Sequence, residues 1–160
     1  CIQAIEHVAD PERALAEAAR VLQPGGVAIF VTPNRLTFGR PDEVIDPYHY
    51  VEYDPGELRS LLRSRFGRVE IYGLFGSPAY MRIYENERRA LDGLLRWDPL
   101  RLRRLLPRRL RQWLYDLRLA RARSGHDPAA ATIAPEDFEL RDENLAGALD
   151  LVGVCRDPLA

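Results

Sequence analysis

Five apolar residues in a row, Val27-Ala28-Ile29-Phe30-Val31, stand between a Gly-Gly turn and a Thr-Pro turn. They narrow what this chain can fold into. A strand with one wet face alternates apolar and polar residues, whereas an unbroken run is the pattern of a strand covered on both faces. The flanks agree. Asp10-Pro11 offers a side-chain cap followed by proline at the first helical position, where its missing N–H costs nothing. Leu15, Ala18, Ala19 and Leu22 then recur at helical spacing, and Gln23-Pro24-Gly25-Gly26 ends the helix.

The same grammar repeats downstream. Asp54, Pro55 and Glu57 form a second helix start with a capping-box pattern, ahead of Leu58, Leu61 and Leu62. Phe66-Gly67 leads into a strand over Arg68 to Tyr72, with Val69 and Ile71 alternating. Cys1 to Val8 reads as the end of a buried strand, and Ala148 to Val154 as the last one. Residues 82–123 read as mainly helical, interrupted at Pro99 and Pro107, and 124–135 as a small-residue loop. Helices alternating with strands predict an open, largely parallel α/β sheet. In such sheets ligands bind beyond the strand C-termini, so the loops Glu6 to Asp10 and Thr32 to Tyr53 are the ones to inspect.

Composition separates one segment from the rest. The net charge is −1 over 160 residues, yet residues 82–123 carry 13 Arg against 5 acids, while residues 124–160 carry 2 Arg against 8 acids. Three readings of the basic segment stand side by side. It is an amphipathic helix packed on the core with a solvated face, a lid or acceptor-recognition insertion suited to anions, or a patch that docks on an anionic membrane surface, over residues 100–123. Aromatics are not interleaved with the arginines as stacking platforms, which argues against nucleic acid. No apolar stretch is long enough to span a bilayer. Two cysteines at opposite ends, with no CxxC, point away from a disulfide scaffold or a cysteine zinc site and make a reducing, cytoplasmic setting the default. The only methionine is Met81, and we read the chain as a piece of a longer one.

The stretch IEHVADPERALAEAARVLQPGGVAIFVTPNR resembles the second half of a class I S-adenosylmethionine-dependent methyltransferase. The resemblance rests on Glu6-His7 after a strand, Asp10-Pro11, Leu22-x-Pro24-Gly25-Gly26, and the strand running into Thr32-Pro33-Asn34-Arg35. It continues less sharply through DPYHYVEYDPGELRSLL, FGRVEIYGL and ALDLVGVC. It implies a Rossmann-like sheet of which this chain supplies the last four strands. Residues 1–75 would be core, 76–147 a helical Arg-rich insertion or lid, and 148–160 the final strand and tail. The family's glycine-rich cofactor loop has no counterpart here. The implied cofactor is S-adenosylmethionine, with Ile2 and Gln3 at the strand end that touches its methionine part. The implied reaction is methyl transfer to a small or lipid-linked acceptor, at oxygen. A non-catalytic α/β module binding a membrane or a protein partner through its Arg-rich helices is the alternative.

Methyl transfer from a sulfonium needs alignment and, for a protic acceptor, a base. His49 is the candidate base, because a histidine titrates near neutrality. A hydrogen-bonded histidine that closes the loop onto the second helix is the plainer role. Asn34, Arg35 and Tyr53 are the candidate acceptor contacts, with Tyr50 beside them. Glu6-His7 has two readings. The ubiquinone-type O-methyltransferases carry Glu-x-x-Glu-His at this point, a trio able to hold a divalent metal. This chain has Gln3-x-x-Glu6-His7, and exchanging a carboxylate for an amide weakens a hard-cation site. The expectation is therefore no metal, with Glu6 and His7 positioning the loop.

Overall fold

The computed structural model describes residues 1–38, 46–95, 131–159 and a few isolated positions between 107 and 117. For residues 87–95 it describes the backbone alone. It divides into two compact units, Cys1–Phe75 with Leu140–Ala160, and Gly76–Glu139.

In the first unit, Asp10 accepts a hydrogen bond from the Arg13 amide at 3.0 Å and opens α1 (Pro11–Val21). The chain stops at Gly25, whose φ of 76° suits glycine, and enters β1 (Ala28–Pro33). A four-residue helix α2 (Arg35–Phe38) follows. The helix α3 (Pro55–Arg63) carries the expected capping box: Asp54 Oδ1 accepts from the Gly56 and Glu57 amides, both at 2.9 Å, and Glu57 Oε2 accepts from the Asp54 amide at 3.0 Å. Arg35 ties this start to the end of β1, with Nη2 2.8 Å from Asp54 Oδ2 and 3.0 Å from Glu57 Oε1. Replacing Asp54 with alanine removes the cap and one of Arg35's partners. We expect a loss of about 1–2 kcal/mol of unfolding free energy, measured by urea titration; an unchanged midpoint would contradict this account of the helix start.

The remaining strands are β2 (Phe66–Gly76), β3 (Phe138–Arg141) and β4 (Asp150–Pro158), and the sheet order is β1-β4-β2-β3. The result is a four-stranded sheet with flanking helices, the pattern of a partial Rossmann-like α/β fold. Its core gathers Ile5, Leu15, Phe30, Leu58, Leu62, Phe66, Ile71 and Leu151. Gly153 in β4 lies under α3, and a Cβ there would collide with the Leu62 side chain.

Four expectations need correction. The sheet is not largely parallel. β4 runs antiparallel to both β1 and β2, because the returning chain inserts between two strands that run parallel to each other. The run Val27–Val31 is covered on one face only: Phe30 and Thr32 are buried, while Val27 and Ile29 are 44% and 48% exposed. Cys1 to Val8 is not a strand throughout. Residues 1–3 lie parallel to β1 through the Ile2–Val31 bridge, after which Ile5–His7 tightens into a 3-10 turn. The last strand begins and ends later than expected, and β3 was not anticipated at all. Three of its four residues are exposed, and it is short and charged, as edge strands are.

In the second unit, α4 (Pro78–Leu95) starts after Ser77, whose hydroxyl donates to Asp137 Oδ1 at 2.6 Å. Most of the Arg-rich segment lies outside the described residues. Of its described apolar positions, Leu110, Trp113 and Leu117 are exposed, and Ile83 and Tyr84 are half-buried. Among the described residues, no helix is long and apolar enough to cross a membrane.

Candidate functional site

The C-terminal ends of the residue 1–3 segment and of β1 face the same way, and the loop over residues 46–53 folds across them. Hydrogen bonds fasten this loop. The Glu6 carbonyl accepts from the Tyr50 amide at 2.8 Å, the Arg35 amide donates to the Tyr53 carbonyl at 2.9 Å, and Asn34 bridges to Tyr53. The loop therefore delivers His49 to the Glu6-His7 corner.

Glu6 is fully buried. Its Oε2 accepts from the Thr32 hydroxyl at 3.0 Å, whereas Oε1 has no hydrogen-bond partner among the described residues. His7 Nδ1 lies 3.2 Å from the Tyr48 carbonyl, and its Nε2 is 3.9 Å from Glu6 Oε1. His49 Nδ1 lies 2.9 Å from Glu52 Oε1, and its Nε2 is 3.9 Å from Asp46 Oδ2. The two imidazoles meet edge to face with centroids 4.8 Å apart, and Phe38 closes the far side of His49 at 5.7 Å. Burial alone would depress the His49 pKa, but the Glu52 hydrogen bond and the charges of Asp46, Glu52 and Glu6 outweigh it and raise it.

The other predicted residues fare differently. Ile2 is exposed at the end of its segment. Gln3 adopts a φ of 49° and turns its amide onto Asp150 Oδ1 at 3.1 Å, away from Glu6. That carboxyl titrates above the usual range because it is buried, and the Glu6 charge adds to the rise, while the Gln3 amide opposes it. Asn34 is buried, and its amide donates to the Leu145 and Ala148 carbonyls, both at 2.9 Å, clamping β1 to the turn before β4. Arg35 is occupied by Asp54 and Glu57. Tyr53 is buried, with its hydroxyl pushed up to about 12 by burial and by the charges of Glu6 and Glu57. The structure thus brings His49 together with Glu6 and His7. Asn34 spends its side-chain amide on the turn before β4, and Arg35 its guanidinium on the start of α3.

Sequence reasoning missed Glu52 and Asp46. Their spacing from His49 (three residues after and three before) was a usable signal, since a buried histidine needs an orienting acceptor.

A model of the methyltransferase domain matches residues 1–30. Over 163 aligned positions, 98% of this chain is 34% identical to proteins of two Mycobacterium tuberculosis strains, each named "Probable S-adenosylmethionine-dependent methyltransferase". The chain spans about half of those relatives, 53% of their length. A protein of Mycolicibacterium smegmatis with the same description is 44% identical over 70 residues, covering 42% of this chain and 27% of the relative. No solved structure matches. The chain is homologous to S-adenosylmethionine-dependent methyltransferases.

Proposed function

We propose that this chain is the C-terminal part of an S-adenosylmethionine-dependent methyltransferase that acts on a hydroxyl of a small or lipid-linked acceptor. The observation that carries this reading is the alignment, which runs through nearly the whole chain and not through one motif. The geometry supports it in kind. The polar cluster lies beyond the C-terminal ends of neighbouring parallel segments, the usual place for a ligand in an open α/β sheet.

The cofactor is S-adenosylmethionine, which supplies an activated methyl group. Ile2 presents exposed apolar surface at the strand end, a fit for the aliphatic part of such a cofactor, and Gln3 shapes the turn beside it. His49 deals with the proton of the acceptor. Its Nδ1 is taken by Glu52, so the exchange passes through Nε2, which lies 3.9 Å from Asp46 Oδ2. Tyr53, Asn34 and Arg35 hold the loop that carries it. The arginines between residues 82 and 123 suit an anionic group on the acceptor, or an anionic membrane on which it resides.

The test uses the full-length protein encoded by the gene, incubated with S-adenosylmethionine labelled in its methyl group. Saturable cofactor binding by calorimetry and label transfer to hydroxylated acceptors are expected. If the full-length protein bound no cofactor, the reading would fail, leaving a non-catalytic module.

A further inference from the structure

We propose that Glu6, His7 and His49 form a binding site for one divalent transition-metal ion, with Zn²⁺ as the best-fitting ion. The argument begins with the imidazole tautomers. A carbonyl oxygen only accepts, so the His7 nitrogen facing the Tyr48 carbonyl must carry the hydrogen. The Glu52 carboxylate fixes His49 in the same way. In each neutral ring Nε2 is left as a bare lone pair. One ring nitrogen of each histidine and a Glu6 carboxylate oxygen lie within 4.8 Å of one another, and with each Nδ1 engaged the free donors of this cluster are the Nε2 atoms and the carboxylate.

The second observation is Glu6 Oε1 itself, which is buried, without a hydrogen-bond partner among the described residues, and 3.9 Å from His7 Nε2. A buried carboxylate oxygen left unpaired is costly, and a cation at this point removes the cost. Donors around a tetrahedral Zn²⁺ stand ~3.3 Å apart, given metal–nitrogen distances near 2.0–2.1 Å.

The donors select the metal. Two imidazoles and one carboxylate suit zinc and its neighbours, whereas Mg²⁺ and Ca²⁺ want oxygen ligands. The orienting contacts are those expected behind metal-bound histidines, a carboxylate on one and a backbone carbonyl on the other. The set is not the sequence-local trio weighed from Gln3, Glu6 and His7. Gln3 points to Asp150, and the third ligand comes from the loop, 42 positions after His7. The proposal departs from the expectation of no metal, which was drawn from the Gln3 exchange alone. Three protein ligands leave one position open. On the methyltransferase reading, that position would take the acceptor hydroxyl, whose pKa a bound ion would lower, and His49 would serve as a ligand in place of a free base.

The test is a Co²⁺ titration of the full-length protein after chelator treatment, read by visible absorption and calorimetry. One equivalent should bind with the intense d–d bands of a four-coordinate site, and Zn²⁺ should displace it while Mg²⁺ should not. Glu6→Gln and His49→Gln should abolish the bands. Because Glu6→Gln alters a fully buried position, Glu52→Gln provides a second variant that leaves all three ligands in place. It should fold as judged by circular dichroism, yet bind Co²⁺ about 10–100-fold more weakly. Absence of stoichiometric Co²⁺ binding, binding unaffected in the folded His49→Gln protein, or displacement by Mg²⁺ would each overturn the site. None of these readouts depends on methyl transfer.

Discussion

Exchanging His49 for glutamine in the full-length protein is expected to lower the rate of methyl transfer by about 10²–10⁴-fold, the range seen when a positioned proton-handling group is removed. Glutamine keeps a polar side chain of similar reach, so it can still bond to Glu52, and the loop remains fastened through the Glu6 carbonyl and Arg35. The loss should therefore fall on turnover and leave cofactor affinity nearly unchanged, because the cofactor contacts assigned to Ile2 and Gln3 lie on a different segment. The measurement is single-turnover kinetics with labelled cofactor, alongside calorimetric binding. Glu12→Gln serves as the control, since that exposed residue on α1 belongs to neither the cluster nor the loop, and it should turn over at the unmodified rate. Full activity in His49→Gln would remove the histidine from the chemistry, whichever way it was thought to handle the proton.

The largest expected effect on stability comes from Leu62→Ala. Leu62 is fully buried on α3 and fills the space that Gly153 leaves open on β4. Truncating a core leucine costs about 2–5 kcal/mol, depending on how far the surroundings collapse into the space. Collapse is hindered here, because the wall opposite is glycine backbone with no side chain to swing inward. The upper half of that range is expected. Denaturant unfolding followed by circular dichroism gives the value, and a change below about 1 kcal/mol would mean that α3 does not pack on β4 in this manner. The reverse substitution, Gly153→Val, attacks the same contact by overfilling it and should also destabilise, by about 1–3 kcal/mol.

Local signals carried the sequence reading where they were strong. Asp10-Pro11 and Asp54-Pro55-x-Glu57 marked two helix starts to the residue, because capping is settled within four neighbours. The central runs of β1 and β2 were readable for similar reasons. What stayed hidden depends on chain reversal. Nothing near Asp150 announces that β4 will run antiparallel between β1 and β2, and the exposed side of Ile29 is decided by which helices cover it. Phe138 and Leu140 do alternate with charged residues, but four residues are too few to stand out from a loop. The site shows the same division. Glu6-His7 was legible as a polar pair after a strand, and His49 as a polar residue on a loop at the expected mouth. That they meet within 4.8 Å follows from backbone hydrogen bonds between segments some 44 residues apart.

Residues 46–53 are pinned by the Tyr50 amide on Glu6, the Asn34–Tyr53 bridge and the Arg35 clasp on the start of α3. His49 is thus kept at its address by contacts that its neighbours make, so an exchange at position 49 changes the chemistry of one ring while the backbone that presents it stays in place.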